Sequence, residues 1–162
     1  MKRAIALLEK HNLLKIIDDE LDINLEIPHI AYIEVKKPVS KAILFTNVVD
    51  RKKNKKFKEP VLMNVFCNED AVKLFIGDGD KIGSEIESLL KLKPPVTFSE
   101  KLSTLGKLFS LKNTIPKKLN KKGECQEVIK LGADAKLSDL PVLTTWEEDG
   151  GPFITMGQVY TQ

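Results

Sequence analysis

The order of apolar and polar positions along the chain predicts short helices alternating with short strands. Residues 2–12 carry apolar side chains at a helical period. Residues 25–35 repeat that period, and Pro28 falls in the first turn of this second helix, where a missing N–H group costs little. The apolar run 13–17 between the two helices is compatible with a strand.

Two strongly apolar, β-branched runs, residues 42–49 and 60–66, predict a pair of strands. The basic stretch between them, residues 51–58, is predicted to be a solvated connector. Several lysines close together can also bind phosphate groups. Nucleic-acid binding is therefore the alternative for this stretch.

Asn68 opens a further predicted helix, because Asn is a favoured N-cap and the two acidic residues after it face the positive end of the helix dipole. We expect this helix to end near Ile76, where Gly77-Asp78-Gly79 connects it to a fourth helix with one apolar face. The glycine spacing does not match a dinucleotide-binding loop. A calcium loop starting at Asp78 would have Asp80 and Gly83 in place, but Ile82 and Leu89 stand where oxygen ligands belong.

A change in composition near residue 112 predicts a domain boundary. Residues 1–111 are predicted to form an α/β domain, and the lysine-rich residues 112–123 an exposed linker. Residues 124–162 would begin a second domain, with a strand at 125–131 and a short helical turn at 137–140.

The end of the chain carries the most informative pattern. After Gly150-Gly151-Pro152, the β-branched and aromatic residues of 153–161 predict a strand, and a strand needs partners. We therefore expect the chain to be the front of a longer protein. Gly157 inside this strand indicates a bulge or a close approach to a ligand, and Thr155 on the same face offers a hydroxyl. A strand corner without a ligand is the alternative.

Other candidates for chemistry are few. Glu147, Glu148 and Asp149 form a carboxylate cluster, for which a solvated turn is favoured over a buried acid–base pair because two glycines follow it. His11 and His29 have no cysteine or acidic partner at a ligand spacing, so neither is predicted to bind a metal.

The composition is that of a soluble globular protein, with 162 residues, 42% hydrophobic and 30% charged residues, and a net charge of +3. No apolar run approaches the ~20 residues of a membrane span, and no leader sequence opens the chain, so a cytoplasmic location is expected. Cys67 and Cys125 lack a paired spacing and are expected to be free thiols.

The C-terminal segment also combines a set of residues in a fixed order: Leu140-Pro141, Trp146, Asp149-Gly150-Gly151, Ile154-Thr155 and Gly157. This order resembles the segment that opens the prenylated-flavin-binding domain of UbiD-type decarboxylases. The resemblance is strong over residues 123–162 and lies in the layout alone before them. Glu147 is a departure, because many members of that family have proline directly after the tryptophan.

The resemblance implies a fold of the α/β (α+β) class. A three-layer-like N-terminal domain would be followed by the first strands of a split β-barrel. It also implies that Thr155 contacts prenylated FMN, with Met156 and Gly157 beside it. The manganese ligands and the catalytic Arg and Glu of the family lie downstream of this strand. The resemblance therefore assigns no catalytic or metal-binding residue to this chain, and it implies that the fragment alone is inactive.

The activity implied is non-oxidative decarboxylation of an aromatic or unsaturated carboxylic acid in ubiquinone or menaquinone biosynthesis. The implied partners are a flavin prenyltransferase that supplies the cofactor, further copies in a homo-oligomer, and a membrane touched through a quinone-precursor substrate, with no nucleic acid. Two alternatives are open. One is a flavin-binding or assembly module without catalysis, and the other is a basic domain that uses residues 52–58 and 117–122 on nucleic acid or an anionic membrane.

Overall fold

The computed structural model describes residues 1–91, 116, 118, 120–123 and 126–154. These residues form a mixed helix and strand fold, as predicted, and none of their helices is long and apolar enough to cross a membrane. The elements are α1 (Lys2–Lys10), β1 (Leu14–Ile17), β2 (Leu21–Asp22), α2 (Glu26–Val35), β3 (Ala42–Phe45), β4 (Val48–Asp50), β5 (Lys55–Lys56), β6 (Val61–Met63), α3 (Glu69–Ile76) and α4 (Gly79–Leu90), with 3-10 turns at Arg51–Lys53, Gly132–Asp134 and Leu137–Asp139.

The chain divides into two compact units. The first contains Met1–Asp78 and Lys136–Gln162, and the second contains Gly79–Ala135. All the strands of the described residues belong to the first unit. In the second unit, α4 buries no side chain among the described residues, and its predicted apolar face is exposed at Ile86 and Leu90.

The strands of the first unit form two small sheets. In one sheet the order is β1-β3-β6, with β1 parallel to β3 and β6 antiparallel to β3. In the other the order is β2-β4-β5, with β2 parallel to β4 and β5 antiparallel to β4. A parallel pair needs a crossover connection, and α2 lies in the crossover of both pairs.

The apolar run 42–49 is two strands in different sheets, so the prediction of one continuous strand is wrong. The Thr46 N–H donates to the Ile17 carbonyl at 3.1 Å, and the Thr46 hydroxyl donates to the Asp18 carboxylate. The Leu21 N–H then donates to the Asn47 carbonyl at 3.1 Å. The segment that leads from β1 to β2 and the segment that leads from β3 to β4 therefore stay side by side as they pass from the first sheet to the second.

The basic stretch 51–58 connects β4 to β6 and is exposed at most positions, as predicted, but it is folded into a 3-10 turn and a short strand, which the prediction of a loop missed. The Asp50 carboxylate accepts a hydrogen bond from the Lys53 N–H at 3.0 Å and caps the 3-10 turn Arg51–Lys53. Asn54 adopts the left-handed conformation at φ 48°, which Asn tolerates better than most residues. The chain thereby reverses, and β5 returns along β4.

The helices agree with prediction. The Asn68 side chain caps α3 by accepting from the Ala71 N–H at 2.9 Å, and the helical turn predicted at 137–140 is present at Leu137–Asp139. The strand predicted at 125–131 is wrong for residues 126–131, the part that the structure describes, which contains bends and no strand. Val128 and Leu131 are exposed there, so no burial offsets the cost of extending the chain.

The core of the first unit joins residues that are far apart in sequence. Its buried side chains are Ile23, Ile27, Ile43, Phe45, Val48, Phe57, Val61 and Leu143. The last of these enters through backbone pairing, because the Thr144 N–H donates to the Ile23 carbonyl at 3.2 Å and the Leu25 N–H donates to the Thr144 carbonyl at 3.0 Å. The Phe153 N–H donates in turn to the Leu143 carbonyl at 2.9 Å. Two isolated bridges, Asn24 with Thr144 and Leu143 with Phe153, thus continue the backbone pairing beyond the end of β2.

A charged side chain is buried on α2. Glu34 is 5% exposed, and its carboxylate accepts a hydrogen bond from the Lys37 ammonium at 2.7 Å, with the Lys15 ammonium at 3.9 Å. The Lys37 hydrogen bond holds the pKa of Glu34 below its ordinary value of 4.5, against the opposing effect of burial. The ionised form is therefore the one that the fold stabilises.

We expect Leu143→Ala to lower the free energy of unfolding by about 3 kcal/mol, because Leu143 is 5% exposed and its truncation leaves a cavity in the core. Chemical denaturation measures this loss. Leu137→Ala is the matched control, since Leu137 is 74% exposed, and it should change stability by less than about 0.5 kcal/mol. Equal effects of the two substitutions would contradict the described core.

We expect Glu34→Gln to cost about 1 kcal/mol at pH 7, because Lys37 is half exposed and solvent weakens the ion pair. The folded-state pKa lies below the unfolded value, so this stabilisation is complete above pH 4.5 and is lost as the pH falls through the lower folded-state pKa. Denaturation curves from pH 7 to pH 3 should show wild type and variant converging. The exposed Glu59→Gln serves as control, and a gap between wild type and Glu34→Gln that is constant with pH would refute the assignment.

Candidate functional site

A cavity of about 760 Å³ opens beside the second sheet of the first unit. This volume lies within the range of small-molecule sites, ~300–1,000 Å³. Most of its wall is apolar, and its polar groups come from the start of the crossover to α2, from the β4–β5 turn and from residues 138–144. The lining consists of Ile23, Asn24, Asp50, Lys52, Lys53, Phe57, Leu137, Ser138, Leu140, Val142, Thr144, Pro152, Phe153 and Ile154.

Asn24 reaches the cavity from a strained turn. Leu25, the next residue, has φ 69° and ψ −36°, and the Glu26 N–H donates to the Asn24 carbonyl at 2.9 Å. A three-residue turn with positive φ at its centre is rare, and such conformations cost on the order of 1–3 kcal/mol. The conformation is fixed from outside, because the Leu25 N–H is bound to Thr144 and the Asn24 N–H donates to the Asp22 carboxylate at 2.9 Å.

Three charged residues, Asp22, Glu26 and Arg51, form hydrogen bonds that hold this turn in place. The Arg51 guanidinium donates to the Glu26 carboxylate and to the Glu20 carbonyl, and the Asp22 N–H donates to the other Glu26 oxygen at 2.8 Å. The hydrogen bond from Arg51 is the main reason why the pKa of Glu26 lies below its ordinary value. Asp22, which is 8% exposed, also accepts from the Arg51 N–H at 3.3 Å. The first turn of α2 is therefore tied to the β4–β5 turn.

The charges on the cavity wall are unequal. Asp50 is 6% exposed, and its carboxylate lies 3.6 Å from the Lys53 ammonium, so these two charges neutralise each other. Lys52 is exposed, and its ammonium has no hydrogen bond or ion pair with the residues that the structure describes. The wall therefore carries a net positive charge at Lys52.

Lys55 holds the 3-10 turn Leu137–Asp139, which forms one edge of the cavity, in place. Its ammonium donates to the Ser138 carbonyl, lies 3.7 Å from the Asp139 carboxylate and sits 5.1 Å from the centre of the Phe57 ring. The aromatic face attracts the cation, and the carbonyl satisfies one of its donors. This contact joins the β4–β5 hairpin to the 3-10 turn Leu137–Asp139.

The acidic cluster forms a turn at the surface, as predicted. The Asp149 carboxylate accepts from the Thr145 N–H at 3.1 Å and from the Trp146 N–H at 2.9 Å, while Glu147 and Glu148 are exposed. The Trp146 ring meets the Tyr32 ring edge to face, with centroids 5.6 Å apart. Asp149 thus has a structural role here, since it fixes the turn that follows the cavity residue Thr144.

The three predicted cofactor-binding residues, Thr155, Met156 and Gly157, lie outside the described residues, as does Cys125. Ile154, directly before them, lines the cavity. Among the described residues no three His, Cys, Asp or Glu side chains are grouped as metal ligands. Cys67 is a free thiol, as predicted, and burial raises its pKa.

Two residues of the site, Asn24 and Lys55, carry no sequence signal that predicts their roles. No local signal predicts a positive φ at Leu25, because a large side chain disfavours it. In the sequence Lys55 is one charge of a basic stretch, and its partner Ser138 is 83 residues away. The acid-rich sequence around Asp22 and Glu26, set beside Arg51, was the one available hint of a charged brace.

We expect Lys55→Met to speed amide hydrogen exchange at Asp139 and Leu140 about fivefold, because the 3-10 turn loses an anchor of about 1 kcal/mol. Lys56→Met, an exposed neighbour on the same strand, is the control and should leave those rates unchanged. Exchange measured by NMR or mass spectrometry tests this. Unchanged protection in Lys55→Met would mean that the backbone pairing at Thr144 holds the rim by itself.

Comparison with protein families identifies two domains along the chain. A sequence model described as the 3-octaprenyl-4-hydroxybenzoate carboxy-lyase N-terminal domain matches residues 5–90. A second, described as the 3-octaprenyl-4-hydroxybenzoate carboxy-lyase Rift-related domain, matches residues 117–162. The second match begins before the 3-10 turn Leu137–Asp139 and includes Leu143, so the core of the first unit contains residues from both domains.

Relatives of the chain are much longer than it is. Proteins described as uncharacterized from Helicobacter pylori strains 26695 and J99 are each 43% identical over 166 residues, which is 100% of this chain and 27% of the relative. An Aquifex aeolicus protein, also described as uncharacterized, is 38% identical over 145 residues, which is 80% of this chain and 29% of the relative. The chain thus spans little more than a quarter of these proteins. With more than half of its residues matched by the N-terminal domain, it belongs to the 3-octaprenyl-4-hydroxybenzoate carboxy-lyase, or UbiD, family.

Proposed function

We propose that the chain is the N-terminal part of a non-oxidative carboxy-lyase that removes CO₂ from an aromatic or unsaturated carboxylic acid in quinone biosynthesis. The observation that carries this proposal is the order of the two family matches, an N-terminal domain at residues 5–90 and a Rift-related domain at residues 117–162. We divide the chain accordingly into an α/β domain (1–111), a linker (112–123) and the start of a split barrel (124–162).

The cavity supports a role beside a cofactor. Phe153 and Ile154, which directly precede Thr155 in the sequence, line the cavity. In the proposal the Thr155 hydroxyl binds a ring or phosphate oxygen of the cofactor, and Met156 and Gly157 flank it, with the glycine allowing the backbone to approach the ligand closely. Prenylated FMN would supply the electrophilic ring on which decarboxylation depends. The contribution of this chain is to bind and orient.

Manganese belongs to the proposal for the whole protein. Its ligands would be contributed by residues that follow this chain in the longer family members. The whole enzyme would assemble as a homo-oligomer in the cytoplasm, receive its cofactor from a flavin prenyltransferase and touch the membrane where a quinone precursor is embedded. These features follow from family membership and not from any contact in the described residues.

We expect Thr155→Val in the full-length protein to lower the retained flavin about fivefold, because the substitution keeps the shape and removes one hydrogen bond worth about 1 kcal/mol. Flavin absorbance per mole of protein and release of CO₂ from a panel of aromatic acids measure the effect. Thr104→Val is the control, since neither family match covers that position. Normal flavin content and turnover in Thr155→Val would remove Thr155 from the site, and a fully loaded wild type that releases no CO₂ from any acid would refute the proposed function.

A further inference from the structure

The cavity has the two properties of a site for an apolar anion. Its wall is largely hydrophobic, with Phe57, Leu140 and Val142 among the lining residues. The positive charge of Lys52 is not neutralised by any described residue, whereas Asp50 and Lys53 neutralise each other. A ligand with an apolar body and a single negative group would match both the surface and the charge.

Asn24 adds a polar side chain to this wall. Its side chain is exposed and lines the cavity, and no described residue forms a hydrogen bond with its amide group. Its backbone is held by Asp22, by the turn at Leu25 and, through Leu25, by Thr144. The strain lies at the neighbouring Leu25, and these contacts hold the Asn24 backbone in one conformation beside the cavity.

We propose that Lys52 and Asn24 recognise the carboxylate of an apolar acid in this cavity, the lysine by charge and the asparagine by donating its amide N–H. Both residues lie in the N-terminal domain, outside the strand to which cofactor contact is assigned. The proposal rests on the proposed function in one respect: the proposed function is what makes the bound acid a substrate for decarboxylation. Binding of the acid requires neither the cofactor nor turnover, so the two can fail separately.

The test uses the full-length protein without cofactor and two probes of the same shape, 2-naphthoate and the neutral 2-naphthalenemethanol. Titration calorimetry should show that Lys52→Met weakens naphthoate binding about fivefold and leaves binding of the alcohol unchanged. Asn24→Asp should also weaken naphthoate selectively, because it places a negative charge beside the carboxylate. Leu140→Trp, at a partly exposed position on the wall, should block both probes by filling the cavity.

Lys58→Met is the matched control, because it removes the same charge from the same stretch at an exposed position outside the cavity lining. Equal naphthoate affinity in Lys52→Met and Lys58→Met, no preference of the wild type for the acid over the alcohol, or no saturable binding of naphthoate would each overturn the inference. Selective loss in Lys52→Met, together with no CO₂ release by the loaded enzyme, would uphold the inference and refute the proposed function.

Discussion

The two backbone hydrogen bonds that join Thr144 to Ile23 and Leu25 are the constraint on which the rest of the first unit depends. Residue 144 is far along the chain from the strand edge that it pairs with, yet it satisfies the Ile23 carbonyl and the Leu25 N–H. Buried or half-buried peptide groups need such partners, and an open edge beside β2 would lack them. The pairing also brings Leu143 into the core. Leu143 in turn pairs with Phe153, so the position of Phe153 depends on the same hydrogen bonds.

The strained backbone of Leu25 and the charged residues that surround it lie next to these hydrogen bonds of Thr144. The positive φ of Leu25 is unfavourable for a leucine, and it is held by contacts on each side: Thr144 on the N–H of Leu25, and Asp22 and Arg51 on the residues that flank it. The charged groups around the turn pair with one another, and Asp50 pairs with Lys53. Among the described charged residues of the cavity lining, Lys52 is the one without an ion pair.

Local sequence was enough to predict the features that local interactions decide. The helices α1 to α4 follow from periodicity, and the Asn68 cap follows from the hydrogen-bonding capacity of its side chain three residues before Ala71. The division of residues 42–49 between two sheets could not be predicted, because it depends on where Ile17 and Asp18 leave the first sheet. The folding of the basic stretch likewise depends on Glu26, Asp50 and Ser138, and two of these are distant in sequence.

The candidate site also has residues that the local sequence predicts and residues that only the fold brings together. Family resemblance assigned Thr155, Met156 and Gly157 from a motif of adjacent residues. Asn24 became a candidate only from the fold, and Lys52, one lysine of a basic stretch in the sequence, was singled out only when the fold placed both residues on one wall with Phe153. Neither residue type is informative alone, since asparagine and lysine are common on surfaces. Their significance comes from a cavity that three separate stretches of the chain build together.

Leu143 in the core has a consequence for how the protein is made. A ribosome that has synthesised Asp78 must add 65 further residues before the side chain that completes the core of the first unit exists. At about 5–20 residues per second, this takes several seconds, longer than the time in which small domains fold. During that interval the newly made chain presents the apolar groups of Ile23 and Phe57 without their partner, so the nascent protein is exposed to aggregation and to chaperones until the second domain begins to emerge.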